Sequence, residues 1–184
     1  MPAQRSEDRR SRRSRSALEA ALLRLIAERD LNQIAVSDVT STADVHRSTF
    51  YEHYSDVHDL AASACTSMFD ELIAATSEVA ANAGAGDALT RLFGHVAEHR
   101  KLYRAVLGED GSARVINHLL DRTTASVREN LGRPAAERAT AVLIAGSLLG
   151  TILDWLRRGC PGRPAELSAR LGPHLLALGQ ARAG

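Results

Sequence analysis

Val36-Ser37-Asp38-Val39-Thr40-Ser41-Thr42-Ala43-Asp44-Val45-His46-Arg47-Ser48-Thr49-Phe50-Tyr51-Glu52-His53-Tyr54 reads as two short helices around a tight turn. Val36, Val39 and Ala43 fall three and four residues apart and give the first helix a single apolar stripe. Asp44 stands where the backbone must turn left-handed, a conformation that Asp and Asn tolerate better than most other non-glycine residues. Val45 anchors the turn, and His46 or Arg47 starts the second helix. Phe50 and Tyr54, four apart, share its buried face, while Arg47, Ser48, Tyr51 and His53 point elsewhere. Two short helices joined by a three- to four-residue turn form the helix-turn-helix unit.

Outward from this stretch the chain keeps to helical spacing. Upstream, residues 1–13 are Ser- and Arg-rich and are expected to be a disordered tail. A helix is predicted from Ser14 or Ser16 to about Arg29, with a Ser as cap and Leu18, Leu22, Leu25 and Ile26 as its stripe. Downstream, Ser55-Asp56 caps a long helix, roughly Val57 to Ala81. Ala83-Gly84-Ala85-Gly86 is the clearest break. Further helices are predicted over 87–98, 99–107, 112–131, 135–158 and 164–178, the last carrying Leu167, Leu171, Leu175 and Leu178 in a row. No stretch shows the alternation of a strand. The predicted fold is all-α, with about nine helices.

Composition agrees. Hydrophobic residues make up 45% of the 184, enough for a packed core, and aromatics only 4%, which favours helix over sheet. Lys101 is the one lysine among 23 basic residues, an Arg bias that fits a GC-rich genome. The net charge of +1 hides an uneven distribution. Residues 1–15 hold six Arg against Glu7 and Asp8, a balance of +4; residues 16–60 hold three Arg against eight acids, a balance of −5. Cys65 and Cys160 have neither metal-type spacing nor a disulfide framework, as expected of a reducing cytoplasm. Glu19 and Arg24 interrupt the only apolar run near the basic start, so no secretory signal is read. The apolar stretch from Ala141 to Gly150 is too short for a bilayer span, and no membrane association is expected.

Val36-Ser37-Asp38-Val39 followed by Val45 to Tyr54 and then Leu60 resembles the DNA-binding domain of the tetracycline-repressor (TetR) family. The most specific part is Thr49-Phe50-Tyr51-x-His53-Tyr54, and the close resemblance covers about 45 residues. It extends more loosely to helix count and to Trp155-Leu156-x-x-Gly159. The sequence departs from the family's pattern at Ala35, Asp44, His46 and Val57, where Thr, Gly, Ser and Lys are usual. These departures remove phosphate donors and leave His46 as a poorer N-cap.

The resemblance implies a cytoplasmic bacterial regulator: a disordered tail (1–13), a helix-turn-helix DNA-binding domain (14–60), and a ligand-binding and dimerisation domain (61–184). Arg47 is assigned to base readout, where a guanidinium can bond bidentately to guanine. Ser37 and Ser48 are candidate base or phosphate contacts, and His46, Thr49, Tyr51, His53 and His58 candidate phosphate contacts. A palindromic operator in double-stranded DNA requires a homodimer, expected through helices 135–158 and 164–178, whose Ala139, Ala141, Ala145, Gly146 and Gly150 permit close approach. A small lipophilic effector would be lined by Met68, Phe69, Leu92, Val96, Tyr103, Leu119 and Trp155. The expected activity is repression relieved by that effector; the alternative is a ligand-binding or interaction module of the same fold with weak DNA binding.

Other chemistry finds little support. His95 and His99 have the i, i+4 spacing that metals use, with His118 as a conceivable third ligand, but no Cys or carboxylate cluster accompanies them. No metal or cofactor is expected. Cys160, in a Gly159-Cys160-Pro161 turn, is a candidate oxidant sensor, against the commoner case of an inert thiol. There is no nucleophile elbow, phosphate-cradling Gly loop or dinucleotide fingerprint, so no enzymatic role is read.

Overall fold

Helix α1 (Pro2–Glu28) buries Leu18, Ala21, Leu22 and Ile26 along one side; of the stripe read from the sequence, Leu25 is only half-buried. The chain is seen in a computed structural model that describes residues 2–108, 112–131 and 137–180. A 3-10 turn at Leu31–Gln33 leads into α2 (Val36–Ala43), α3 (Arg47–His53) and the long α4 (Val57–Ala83). Then come α5 (Ala85–Glu98), α6 (Arg100–Leu107), α7 (Ala113–Leu131), α8 (Glu137–Arg157) and α9 (Pro164–Gln180). The described residues thus hold nine α-helices and no strand, the all-α fold read from the sequence.

One expectation fails at the start of the chain. The Arg-rich stretch expected as a disordered tail is continuous helix with α1, which begins at Pro2 instead of Ser14. After Pro2 the segment has no glycine or proline, and arginine is a good helix former, so a helix nucleated by the core propagates through it. Ser14 and Ser16 therefore do not cap. Their hydroxyls donate back to carbonyls within the helix, Ser14 to Ser11 (3.0 Å) and Arg10 (3.2 Å), Ser16 to Arg12 (3.1 Å).

The described residues group into two compact units, Met1–Cys65 and Thr66–Gly184, divided within α4. In the first, α1, α2, α3 and the opening turns of α4 surround Leu22, Val39, Phe50 and Leu60, each with no exposed surface. Asp56 caps α4: its Oδ1 accepts the Asp59 amide at 2.8 Å, while the Asp59 carboxylate accepts the Ser55 amide at 3.1 Å.

In the second unit α5 lies on α9, α7 lies on α8, and α6 packs against α8. Its centre holds Phe93, Val96, Tyr103, Leu119 and Trp155. Gly84, at φ +99, forms the hinge before α5, in a backbone region that side chains rarely enter. Ser168 donates to the Gly86 carbonyl (2.9 Å), and the Trp155 indole donates to the Pro161 carbonyl (2.9 Å), fixing the turn after α8.

Helix α8 also corrects an expectation. The apolar stretch read as too short to span a bilayer extends over Arg138–Arg157, with mean hydropathy 1.7, and is long and apolar enough by length and composition. Much of that apolar surface is buried by its neighbours: Ala141, Ala145, Ile152 and Trp155 face the core.

Candidate functional site

The turn between α2 and α3 has the geometry expected of Asp44. It adopts φ 53 and ψ 50, left-handed, and its amide and that of Val45 reach the carbonyls of Ser41 and Thr40. Ala35 offers no side-chain acceptor at the start of α2. The Asp38 carboxylate compensates by accepting the Ala35 amide (3.0 Å) and pairing with Arg29 (3.3 Å). Val45 is half-buried, so the deeper anchor of the turn is Val39.

Helix α3 is divided sharply into faces. Phe50 is fully buried, with Tyr51 edge-on at 5.4 Å and Tyr54 tilted at 5.8 Å. The Tyr54 ring is buried as well. Its hydroxyl donates to Glu19 (3.1 Å), which also accepts from Ser63 (3.0 Å), tying α1, the end of α3 and α4 together. Burial, with Glu19 alongside, pushes the Tyr54 phenol up to about 12.

On the other side His46, Arg47, Ser48 and Tyr51 are exposed, as are Ser37 on α2 and His58 on α4. Thr49 and His53 are half-buried. The Arg47 guanidinium donates to the Tyr51 hydroxyl (3.1 Å) and lies 5.6 Å from its ring centroid, so the two side chains form one exposed unit. His46 occupies the N-cap position of α3 without a side-chain capping bond. His53 is hydrogen-bonded through Nε2 to Ser14 Oγ at 2.8 Å, a partner that no sequence pattern indicated.

The second unit holds a groove of about 520 Å³ between α4 and α5, lined by Met68, Glu71, Leu72, Ala75, Arg91, Gly94, His95 and Glu98. Its apolar floor and charged rim are the makings of a small-molecule site. His95 lines it with a buried Nε2 that has no hydrogen-bond partner. Burial, and after it the neighbouring His99, lowers the His95 pKa to about 4, which keeps the ring neutral at pH 7.

Comparison with known proteins bears on both units. A family model described as the C-terminal region of TetR-type transcriptional regulators matches residues 85–173. The uncharacterized HTH-type transcriptional regulator YxbF of Bacillus subtilis is 37% identical over 75 residues, 38% of this chain. The match spans only 20% of that relative's length.

The match over residues 85–173 is to the TetR family of transcriptional regulators.

Solved structures show the same fold. A TetR-family regulator from Streptomyces coelicolor superposes with a TM-score of 0.69 at 21% identity, covering 90% of this chain and 79% of that one. The TetR-family repressor AlkX from Dietzia gives 0.65 at 18%, covering 90% and 97%. FadR from Bacillus subtilis, in complex with stearoyl-CoA, gives 0.61 at 17%, also covering 90% and 97%.

Of the side chains expected around an effector, Met68 lines the groove. Phe69, Leu92, Val96, Tyr103, Leu119 and Trp155 are buried core, with Trp155 edge-on to Phe93 at 5.7 Å. The apolar stripe of α5, which guides a reading from sequence, passes over Arg91, Gly94, His95 and Glu98, which share the adjoining face at three- and four-residue spacing. The His95 and His99 rings lie 4.6 Å apart between centroids at a 49° tilt, but His118 is committed elsewhere: its Nε2 meets Asp70 at 3.0 Å, beside Arg122 at 2.8 Å. Among the described residues no three His, Cys, Asp or Glu side chains gather to hold a metal. Cys160 is half-buried and its thiol is raised, by burial first, against the opposing pull of Arg100 and Arg104. A raised thiol is a poorer nucleophile than an oxidant sensor requires.

The helix faces named for dimerisation divide as well. Ala141 and Ala145 point inward, whereas Ala139, Gly146 and Gly150 are exposed. The leucine row of α9 is buried or half-buried, and Leu176 takes the exposed position.

Proposed function

We propose that the protein is a homodimeric, ligand-responsive repressor that reads a palindromic operator with α3. The observation that carries this reading is the division of α3: Phe50 locks the helix into the core while Arg47, Ser48 and Tyr51 stand exposed together. In a major groove Arg47 would offer a bidentate donor to guanine, and the Tyr51 ring apolar contact to a thymine methyl. Ser37, His46, Ser48, Thr49, His53 and His58 are the proposed accessory contacts. Purified protein should retard its own upstream region in preference to random DNA at matched salt. Equal retardation of both would favour the alternative, a ligand-binding module with weak DNA binding.

The proposed effector site is the groove between α4 and α5. A ligand with an apolar body and a hydroxyl, carbonyl or amide group would satisfy its floor of Met68, Leu72 and Ala75 and the unpartnered His95 nitrogen. The stearoyl-CoA complex of FadR is an example of this fold holding a long acyl chain. Operator release on adding the ligand is the expected result.

Dimerisation is proposed through the exposed faces of α8 and α9. Val142, Leu143 and Leu176 are 43%, 58% and 53% exposed, and Gly146 and Gly150, three and seven residues beyond Leu143 on α8, are exposed as well. A Cβ added at either glycine would meet nothing within 4 Å, so nothing among the described residues requires their smallness. Close approach of a second copy would.

A further inference from the structure

We propose that the α1 segment from Arg9 to Arg15 is a second DNA-contacting element, a rigid helical arm whose arginines clamp the phosphate backbone beside the site read by α3. The inference rests on the DNA-reading role proposed for α3. Arg9, Arg10, Arg12, Arg13 and Arg15 are all exposed, and no acid interrupts them between Asp8 and Glu19. Because α1 is continuous from Pro2 to Glu28, this charge is displayed on a fixed scaffold, and ordering it on DNA costs less entropy than an unstructured tail would. Arg9, Arg12 and Arg13 fall three and four apart, roughly 5–6 Å between neighbours.

The arm is also anchored in place. Leu18 is fully buried in the first unit, and one turn upstream Ser14 is hydrogen-bonded to His53 at 2.8 Å. His53 is the last residue of α3, so the arginine row leaves the domain beside the end of the recognition helix. The half-buried His53 ring thereby acts as a strut between arm and reader.

Charge supplies the independent argument. Residues 16–60 carry a balance of −5, the wrong sign for a polyanion. Of their three arginines, Arg24 is directed onto the Thr42 carbonyl at 2.9 Å and Arg29 is paired with Asp38. Arg47 is left to face a ligand. Phosphate neutralisation dominates non-specific affinity for DNA, and in this unit the concentrated source of it is the arm. An acidic protein or an anionic membrane would also attract arginines, but neither explains the strut to the reading helix.

The test uses the full chain with Arg9, Arg10, Arg12 and Arg13 replaced by Gln, which keeps helix propensity, and a matched set replaced by Lys. Binding is measured on the upstream duplex and on random duplex across a salt series, with helix content followed by circular dichroism. The Gln set should weaken binding to both duplexes by the same factor, about tenfold or more, and lower the log–log salt slope by about 0.9 for each phosphate no longer neutralised. The Lys set should restore slope and affinity, because point charges suffice for phosphate. An unchanged slope in the Gln set overturns the proposal. Weakening confined to the upstream duplex also overturns it, since that would be base reading. If Gln abolishes binding to phosphatidylglycerol vesicles and leaves the DNA slope intact, the arm serves a membrane surface and the proposal falls. Failure of the DNA-reading role is distinguishable: the unaltered chain would then bind the upstream duplex no better than the random one, whereas failure of the arm alone leaves that preference in place and unaltered and Gln chains binding alike.

Discussion

Arg47 is the residue on which sequence preference should turn. Its guanidinium is exposed and pre-oriented by the Tyr51 hydroxyl and ring, so little side-chain freedom would be lost in the base contact proposed for it. Arg47→Ala is expected to cost about 1–3 kcal/mol on the operator and much less on random DNA, read as a collapse of the affinity ratio between the two. His95 offers a different measurement at this scale. Its pKa is about 4 in the folded chain, below the ordinary 6.5 of an unfolded histidine, so the unfolded state binds the extra proton first. His95 therefore takes nothing from stability above about pH 6.5, and stability declines as pH falls from there towards about 4. Urea unfolding at pH 7.5 and pH 5 should show this decline, and His95→Gln should reduce it. A His95→Gln chain with the full pH dependence would place its origin elsewhere. Cys65, fully buried with its thiol pushed up to about 12, should stay unreactive until the chain unfolds.

Helices here are set by their ends as much as by their stripes. The start of α4 is held by Asp56, which accepts the Asp59 amide, and Ser55 closes the box from the other side. Asp56→Ala should destabilise the chain by about 1 kcal/mol and fray the turn that carries His58, seen as a lower melting temperature and faster amide exchange at Val57 to Asp59. Unchanged exchange there would mean that burial of Val57 and Leu60 alone holds the turn. The element scale is also where the sequence is partly misleading. Capping residues and apolar spacing locate α2, α3 and α4, but Ser14 and Ser16 look like caps and point to a start for α1 well inside the helix. They are interior residues that bond back to the preceding turn. Composition reads an arginine-rich segment as solvated and disordered, whereas helix continuity depends on what the neighbouring residues already fold into.

At the scale of the molecule, assembly is the decisive quantity. Val142 and Leu143 on α8 and Leu176 on α9 are exposed apolar side chains that a second copy would cover. Leu143→Glu is expected to convert a dimer to a monomer in analytical ultracentrifugation. It should sharply weaken binding to the full palindrome, since a monomer contacts one half-site. A chain already monomeric without the substitution would overturn the dimeric reading.

The amino-acid order by itself determined the helical class, the helix-turn-helix with its left-handed Asp44, and the exposure of Arg47, Ser48 and Tyr51. All of these follow from spacings of four residues or fewer and from the backbone preferences of single residues. Only the tertiary structure decided that Tyr54 ends on Glu19, 35 residues away, that His53 meets Ser14 across 39, and that His118 is taken by Asp70 across 48. It likewise decided that the groove belongs to the charged faces of α4 and α5 while Phe69, Val96 and Trp155 fill the core. Local spacing states which residues share a face. Which neighbour that face meets depends on how helices distant in sequence pack, and packing is settled by the shapes and volumes of the whole interior.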